Sequence, residues 1–208
     1  MTAASTAPAS RRRAGRKADV TREDWVEKGL SELGKKGPGA LTLDALCREL
    51  GITKGSFYWY FSGRDEFMQL LLDAWEKRDT LALIDHVEEQ GGTPLEKLHG
   101  LFHAANTGHV DFRIEQAIRH WGHQETSIRQ MLHGTDRKRI DYMVGLFRKL
   151  GSDPATAETQ TSLLYALIFG EAMIYRREER QARLERQEAS FWAVVEMTAG
   201  IRRPKADG

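Results

Sequence analysis

Residues 41–65 read LTLDALCRELGITKGSFYWYFSGRD, and two short helices joined by a glycine turn account for the pattern. Thr42 is an N-cap residue, and Leu43, Leu46, Cys47 and Leu50 fall at i, i+3, i+4 and i+7 behind it, giving one apolar face. Gly51 supplies the left-handed residue that ends such a helix tightly. Ile52 then plugs the core beneath the turn, and Thr53 caps a second helix, Lys54–Tyr60. Seven residues cannot form a stable helix alone. Phe57 and Phe61, four apart, anchor it to a core, and the remaining face carries Lys54, Gly55, Ser56, Tyr58, Trp59 and Tyr60. A helix-turn-helix needs this construction: a supporting helix, a tight turn, and a second helix with a polar and aromatic outer face that lies in a groove.

Each exposed side chain has a part to play against DNA. Lys54 supplies a cation, and Gly55 lets the backbone approach. Thr53, Ser56, Tyr58 and Tyr60 offer hydroxyls to phosphate oxygens, and Arg64 reaches the flanking backbone. Base edges fall to Lys54, Ser56 and Trp59, the last through apolar contact.

Working outward, Thr21-Arg-Glu-Asp24 is a capping-box start for a first helix with Val26, Leu30 and Leu33 on its apolar face. Gly34, Gly37, Pro38 and Gly39 end it. On the other side, Ser62-Gly-Arg-Asp65 reads as another capping box. It starts a longer helix, from about residue 63 to 90, striped with Phe67, Leu70, Leu71, Ala74, Trp75 and Leu81. Gly91-Gly92 interrupts it, and Thr93-Pro94 restarts a helix at once. Further helices are expected at 94–107, 112–122, 125–149, 154–180 and 186–202, with Asp153-Pro154 opening the fourth. Strand-like alternation is absent. The expected fold is all-α with about nine helices: a basic arm at 1–20, a three-helix DNA-binding domain at 21–66, and a helical domain at 67–208.

The 208 residues contain 40% apolar side chains, enough for substantial cores. There is no apolar run of membrane-spanning length and no secretory signal, so the chain is expected in the cytoplasm. Cys47 is the single cysteine, which excludes an internal disulfide framework. The net charge of +1 conceals an asymmetry. Residues 1–64 hold 12 Lys/Arg against 7 Asp/Glu, whereas the remainder is acidic. The front of the molecule is therefore the face for a polyanion, with Arg11, Arg12, Arg13, Arg16 and Lys17 as either a solvated tail or a DNA-contacting arm.

The segment GITKGSFYWYFSGRDEF resembles the signature of TetR-family transcriptional regulators, with its Lys-Gly pair, Tyr, aromatic and Phe. The resemblance is close over residues 21–75. Tyr60 stands where His is frequent, and Arg64 where Lys is usual. It implies a regulator, mostly a repressor, that reads a double-stranded palindromic operator as a homodimer and is released by a small-molecule effector. Thr42, Thr53, Lys54, Gly55, Ser56, Tyr58, Trp59 and Tyr60 are its implied DNA contacts.

The C-terminal half is compatible with that reading. Leu163, Leu164, Leu167, Ile168, Ile174 and Tyr175 give one helix an apolar face wider than a single stripe. Phe191, Trp192, Val194, Val195 and Ile201 do the same for the last helix, as a dimer interface through these two helices requires. Phe102, His103, Trp121, Met131, Tyr142, Phe147, Tyr165 and Phe169 are candidates to line an apolar effector pocket, or are ordinary core. His99 with His103, and His120 with His123, have spacings that zinc tolerates, but no HExxH or cysteine cluster accompanies them, so no metal and no cofactor is expected. No nucleophile elbow, phosphate loop or acid/base set indicates catalysis. Two alternatives stay open: a helix-turn-helix regulator without an inducer, and an all-helical metal-binding protein.

Overall fold

The computed structural model describes residues 20–174 and 179–200, apart from the side chain of Ala199. The basic residues between 11 and 17, Tyr175 and Ile201 lie outside this set. All regular structure among the described residues is helical: α1 (Arg22–Lys36), α2 (Leu43–Leu50), α3 (Lys54–Tyr60), α4 (Arg64–Glu76), α5 (Ala82–Gln90), α6 (Pro94–Thr107), α7 (Phe112–Gln124), α8 (Thr126–Lys149), α9 (Pro154–Met173) and α10 (Arg180–Ala199). A single 3-10 turn, Pro38–Ala40, precedes α2. A π turn, Lys77–Leu81, joins α4 to α5 without leaving the helical path, so the two count as one long helix and the total among the described residues is nine.

Local chemistry sets most boundaries. At the start of α1, Asp24 N–H donates to Thr21 Oγ1 at 3.2 Å, and Thr21 N–H donates to Asp24 Oδ2 at 2.7 Å, closing the capping box. The helix does not stop at Gly34 but continues to Lys36. Gly34 sits where α1 crosses α7, and a Cβ there would lie 2.7 Å from Ile114 Cγ1, so the glycine serves packing and not termination. The box expected at Ser62–Asp65 is also different. Ser62 donates from N–H and Oγ to Glu66 at 2.7 and 2.8 Å, and the N-cap is Gly63, without a side-chain cap. Near the C-terminus, α9 ends at Met173 and α10 already begins at Arg180, earlier than apolar periodicity suggested.

Two apolar cores organise the helices. The first gathers Trp25, Leu33, Leu46, Phe57, Phe61, Phe67, Leu71 and Trp75 from α1 to α4 and extends into Ile114, Ile118 and Trp121 of α7 and Ile128 and Leu132 of α8. Its aromatic rings meet edge to face, with Trp25 5.3 Å from Phe57 and Phe61 5.2 Å from Phe67. The second core lies between α5, α6, α8, α9 and α10 around Leu98, Phe102, Phe147, Leu164 and Phe191. The first core thus joins the helix-turn-helix, through α1 and α4, to α7 and α8.

Candidate functional site

The outer face of α3 is built by the same spacing that anchors its inner face. Phe57 and Phe61 are 5% and 2% exposed, and between them the helix turns Tyr58 and Trp59 outward at 65% and 88%. Thr53, Lys54 and Gly55 share that exposed surface, and Ser56 is half-buried beside them. Gly51, at φ 66° and ψ 37°, makes the turn that brings α3 across α2. Thr42 accepts from Ala45 N–H at 3.2 Å, so its hydroxyl oxygen is also a cap, and Arg64 projects from the first turn of α4.

Two residues depart from the expected roles. Tyr60 is half-buried against the core and donates its hydroxyl to the Val20 carbonyl at 2.6 Å, tying α3 to the chain leading into α1. Its hydroxyl hydrogen is therefore not free for a phosphate. Thr53 makes no bond to a backbone N–H; its Oγ1 lies 3.4 Å from Ser56 Oγ. The sequence reading also missed Asp44, whose Oδ1 stands 2.7 Å from Lys54 Nζ on the exposed face. The bond from Asp44 raises the Lys54 pKa and so secures its charge. Cys47 is buried, and burial, with Asp44 nearby, pushes its thiol above the usual range, as an inert structural thiol requires.

The second feature is a half-open cavity between α5, α6, α7, α8 and α9, with about 520 Å³ of space between atoms when its open mouth is counted. Tyr142, Tyr165 and Phe169 of the expected pocket residues line it. The other five are elsewhere. Trp121 and Met131 pack in the first core, Phe147 is fully buried in the second, and Phe102 and His103 border a separate groove between α6 and α10. Large apolar residues fill cores as readily as they line cavities, and type alone does not separate the two.

What the sequence reading missed is a polar network that reaches the cavity at Glu115, Arg139 and Tyr165. Glu115, Arg119, Asp136, Arg139 and Tyr165 form a closed network. Arg119 donates to Glu115 at 2.7 Å and twice to Asp136 at 2.6 and 3.0 Å. Arg139 donates to both Glu115 oxygens at 3.2 to 3.3 Å and to Thr80 Oγ1 at 2.7 Å, and Tyr165 donates to Asp136 at 2.6 Å. Burial opposes the Asp136 charge, yet the bonds from Arg119 and Tyr165 prevail and hold its carboxyl below the usual range. Arg119 is raised by the same two acids despite its own burial. Burial pushes the Tyr165 and Tyr142 phenols upward, so both stay protonated. A signal existed: Glu115 lies between Ile114 and Ile118, and Thr135, Asp136 and Arg139 interrupt the stripe from Leu132 to Met143. Charges at core positions mark a buried network.

His99 stacks on His103 and accepts or donates a bond with Glu188 at 2.8 Å, and His120 and His123 are exposed. Among the described residues no group of three or more His, Cys, Asp or Glu side chains converges on one point. Nor, among them, is any helix long and apolar enough to cross a membrane.

Comparison with known proteins places this geometry. Residues 26–71 match the family described as bacterial regulatory proteins, tetR family. Over 202 residues the chain is 25% identical to the HTH-type transcriptional regulator SrpR of Pseudomonas putida, covering 88% of this chain and 89% of that one. It is 32% identical over 80 residues to the HTH-type transcriptional regulator TtgR, also of Pseudomonas putida, 38% of each chain. In fold, it is similar to a TetR-family transcriptional regulator of Streptomyces coelicolor, with a TM-score of 0.73 at 13% identity over 86% of this chain and 95% of the other. A Rhodococcus transcriptional regulator aligns with a TM-score of 0.69 at 18% identity, over 86% and 96% of the two chains.

Proposed function

We propose that the chain is a DNA-binding transcriptional regulator of the TetR family, a cytoplasmic, dimeric repressor released from a palindromic operator by an uncharged, largely apolar effector. The observation that carries the DNA half is the bare outer face of α3, with Trp59 88% exposed above a buried Phe57. Thr53, Lys54, Gly55, Ser56, Tyr58 and Trp59 meet the major groove, and Thr42 and Arg64 hold the flanking backbone. Tyr60 contributes by fixing the helix.

The outward faces of α9 and α10 support dimerisation. Leu163, Ala166, Gly170 and Met173 on one, and Ala189, Ala193 and Met197 on the other, recur at helical spacing. Leu163, Met173 and Met197 stand 40%, 59% and 72% exposed, and the positions between them are alanine or glycine. Small residues let two such pairs of helices approach closely as a four-helix interface. Two α3 helices then occupy successive major grooves about 34 Å apart.

The cavity supports an effector, and its charges restrict the class. Of the charged groups that line it, Asp79 is paired with Arg78, and Glu115 with Arg139 and with Arg119, which in turn holds Asp136. An anionic effector has to take an arginine from a buried acid, and a cationic one has to take an acid from a buried arginine, which costs several kcal/mol. A neutral aromatic or aliphatic body does neither. An effector preferring a dimer with α4 displaced loosens DNA by the factor by which DNA loosens the effector. A filled second core would instead have favoured a regulator without an inducer.

The test uses an operator selected from random-sequence duplexes. Lys54→Ala with Tyr58→Phe is expected to weaken operator binding at least about tenfold, by removing one charged and one neutral contact to the DNA. Helical content and the dimer measured by sedimentation should be unchanged. Equal operator binding by this variant, or a wild-type monomer on the operator, overturns the reading.

A further inference from the structure

We propose that Arg139 is the positioning residue through which occupation of the cavity is felt by α4, and so by α3; this rests on reading the cavity as the effector site. Four elements meet on its guanidinium. Nε donates to Thr80 Oγ1 of the π turn at 2.7 Å, the two Nη atoms hold Glu115 of α7 at 3.2 to 3.3 Å, Nη1 is 3.5 Å from the Tyr165 hydroxyl of α9, and Cζ lies 5.3 Å above the Trp75 ring of α4. Thr80, Glu115, Arg139 and Tyr165 also line the cavity. Trp75 is fully buried in the first core with Phe67 and Leu71, beneath the helix-turn-helix. One side chain therefore spans the wall of the cavity and the base of the reading head.

Thr80 stands in the π turn where α4 leaves the first core, and it and its neighbour Asp79 are each only 2% exposed; π turns recur at functional sites. The neighbouring turn is gripped as well: Glu76 accepts from Thr135 Oγ1 and from Lys138 Nζ, both at 2.8 Å. From Thr135 to Arg139, α8 thus holds the end of α4 through hydrogen bonds rather than through apolar contact alone.

Bonds are selective in what they transmit. Arg139 cannot abandon Glu115, because both charges are buried. A molecule lodged against Thr80 and Tyr165 therefore leaves the guanidinium two arrangements: it stays with Glu115 and gives up Thr80, or it keeps Thr80 and draws the π turn with it. Either arrangement changes the constraint on α4, and a coupling between sites needs such a two-state element.

The experiment uses the full chain, the selected operator duplex, and N-phenyl-1-naphthylamine, an uncharged aromatic amine whose fluorescence reports an apolar site. In wild type, saturating probe is expected to raise the operator Kd at least about fivefold. Thr80→Val keeps the shape and removes the acceptor. It should bind probe within about threefold of wild type while its operator Kd moves less than about twofold. Arg139→Lys should behave alike, since an ammonium cannot hold Thr80 and Glu115 together or lie flat over Trp75. Thr80→Ser, which restores the hydroxyl, should recover the wild-type response. Hydrogen exchange supplies an independent readout: probe should alter exchange over residues 64–81 in wild type and Thr80→Ser only. A full response in Thr80→Val, or failure of Thr80→Ser to recover it, overturns the relay alone. A wild-type protein that binds no probe, or binds it without loosening the operator, overturns the effector reading and the relay together.

Discussion

Lys54 is the cation of the third helix, and its pairing with Asp44 at 2.7 Å sets how strongly it draws DNA. Both groups are more than half exposed, at 59% and 66%, so the pair adds little to stability. Its effect lies in the field it cancels. A phosphate approaching Lys54 also meets the Asp44 carboxylate, which penalises contact with any backbone that offers charge alone. Asp44→Asn is accordingly expected to tighten binding to random-sequence duplex about three- to tenfold and to steepen its salt dependence by close to one unit. The melting temperature should be almost unaffected. Anisotropy titrations over a series of salt concentrations measure both. Weaker binding to the operator would instead assign Asp44 to a base edge, where an acid accepts from cytosine. At this scale the sequence was legible wherever a role follows from local spacing. Phe57 and Phe61 go inward because they lie four apart, and Tyr58 and Trp59 then have nowhere to go but out. Tyr60 was not legible, because its partner Val20 is 40 positions away. The pairing of Asp44 with Lys54 depends likewise on how α2 and α3 cross.

Elements were legible through their ends. Thr21, Thr42, Thr93 and Asp153 each cap the helix expected of them, since a short oxygen-bearing side chain before an apolar stripe meets an orphan N–H only there. Glycine was the ambiguous signal. Gly51 is a turn, but Gly34 is a contact, and the distinction rests on Ile114, eighty positions further along. The π turn left no mark, because Lys77–Leu81 holds neither proline nor glycine and one extra residue barely disturbs an apolar stripe. The contrast between glycines gives a pair of opposite expectations. Gly34→Val should push α1 off α7 and cost about 1–3 kcal/mol by overpacking, a fall of roughly 2–4 °C per kcal/mol for a chain of this size. Gly145→Ala lies inside α8 with nothing within 4 Å of the new Cβ. It should gain about 0.5–1 kcal/mol from helix propensity. Thermal melts of both variants check the signs. A neutral Gly34→Val would mean that α1 and α7 are not held in register by this crossing.

Across the whole molecule, the two cores are linked by carboxylates. Glu76 ties α4 to α8, Asp136 ties α8 to α7 and α9, and Glu88 joins α5 to α6 through Lys97 and to α8 through Tyr142. All three are held below the usual carboxylate range. For Glu76 and Asp136 burial works the other way and is outweighed by Lys138 and Thr135 in one case and by Arg119 and Tyr165 in the other. For Glu88 the bonds from Lys97 and Tyr142 lead. A carboxyl lowered on folding binds its proton in the unfolded chain at the ordinary value and in the folded chain only at lower pH. The unfolded state therefore takes up more protons between those two values, and the contribution to stability is complete above the ordinary value and lost as pH falls through the lowered one. The melting temperature is accordingly expected to stay level from about pH 7 to pH 5 and to fall steeply below about pH 4, where ordinary carboxylates titrate. Asp136→Asn has no proton to take up at that position. It should melt lower than wild type at pH 7, because Arg119 loses a charged partner and one of its two bonds to this side chain, and should show a shallower fall in acid. Melts of both proteins across this range decide the matter, and an undiminished acid slope in Asp136→Asn would remove Asp136 from the groups that hold the cavity wall together.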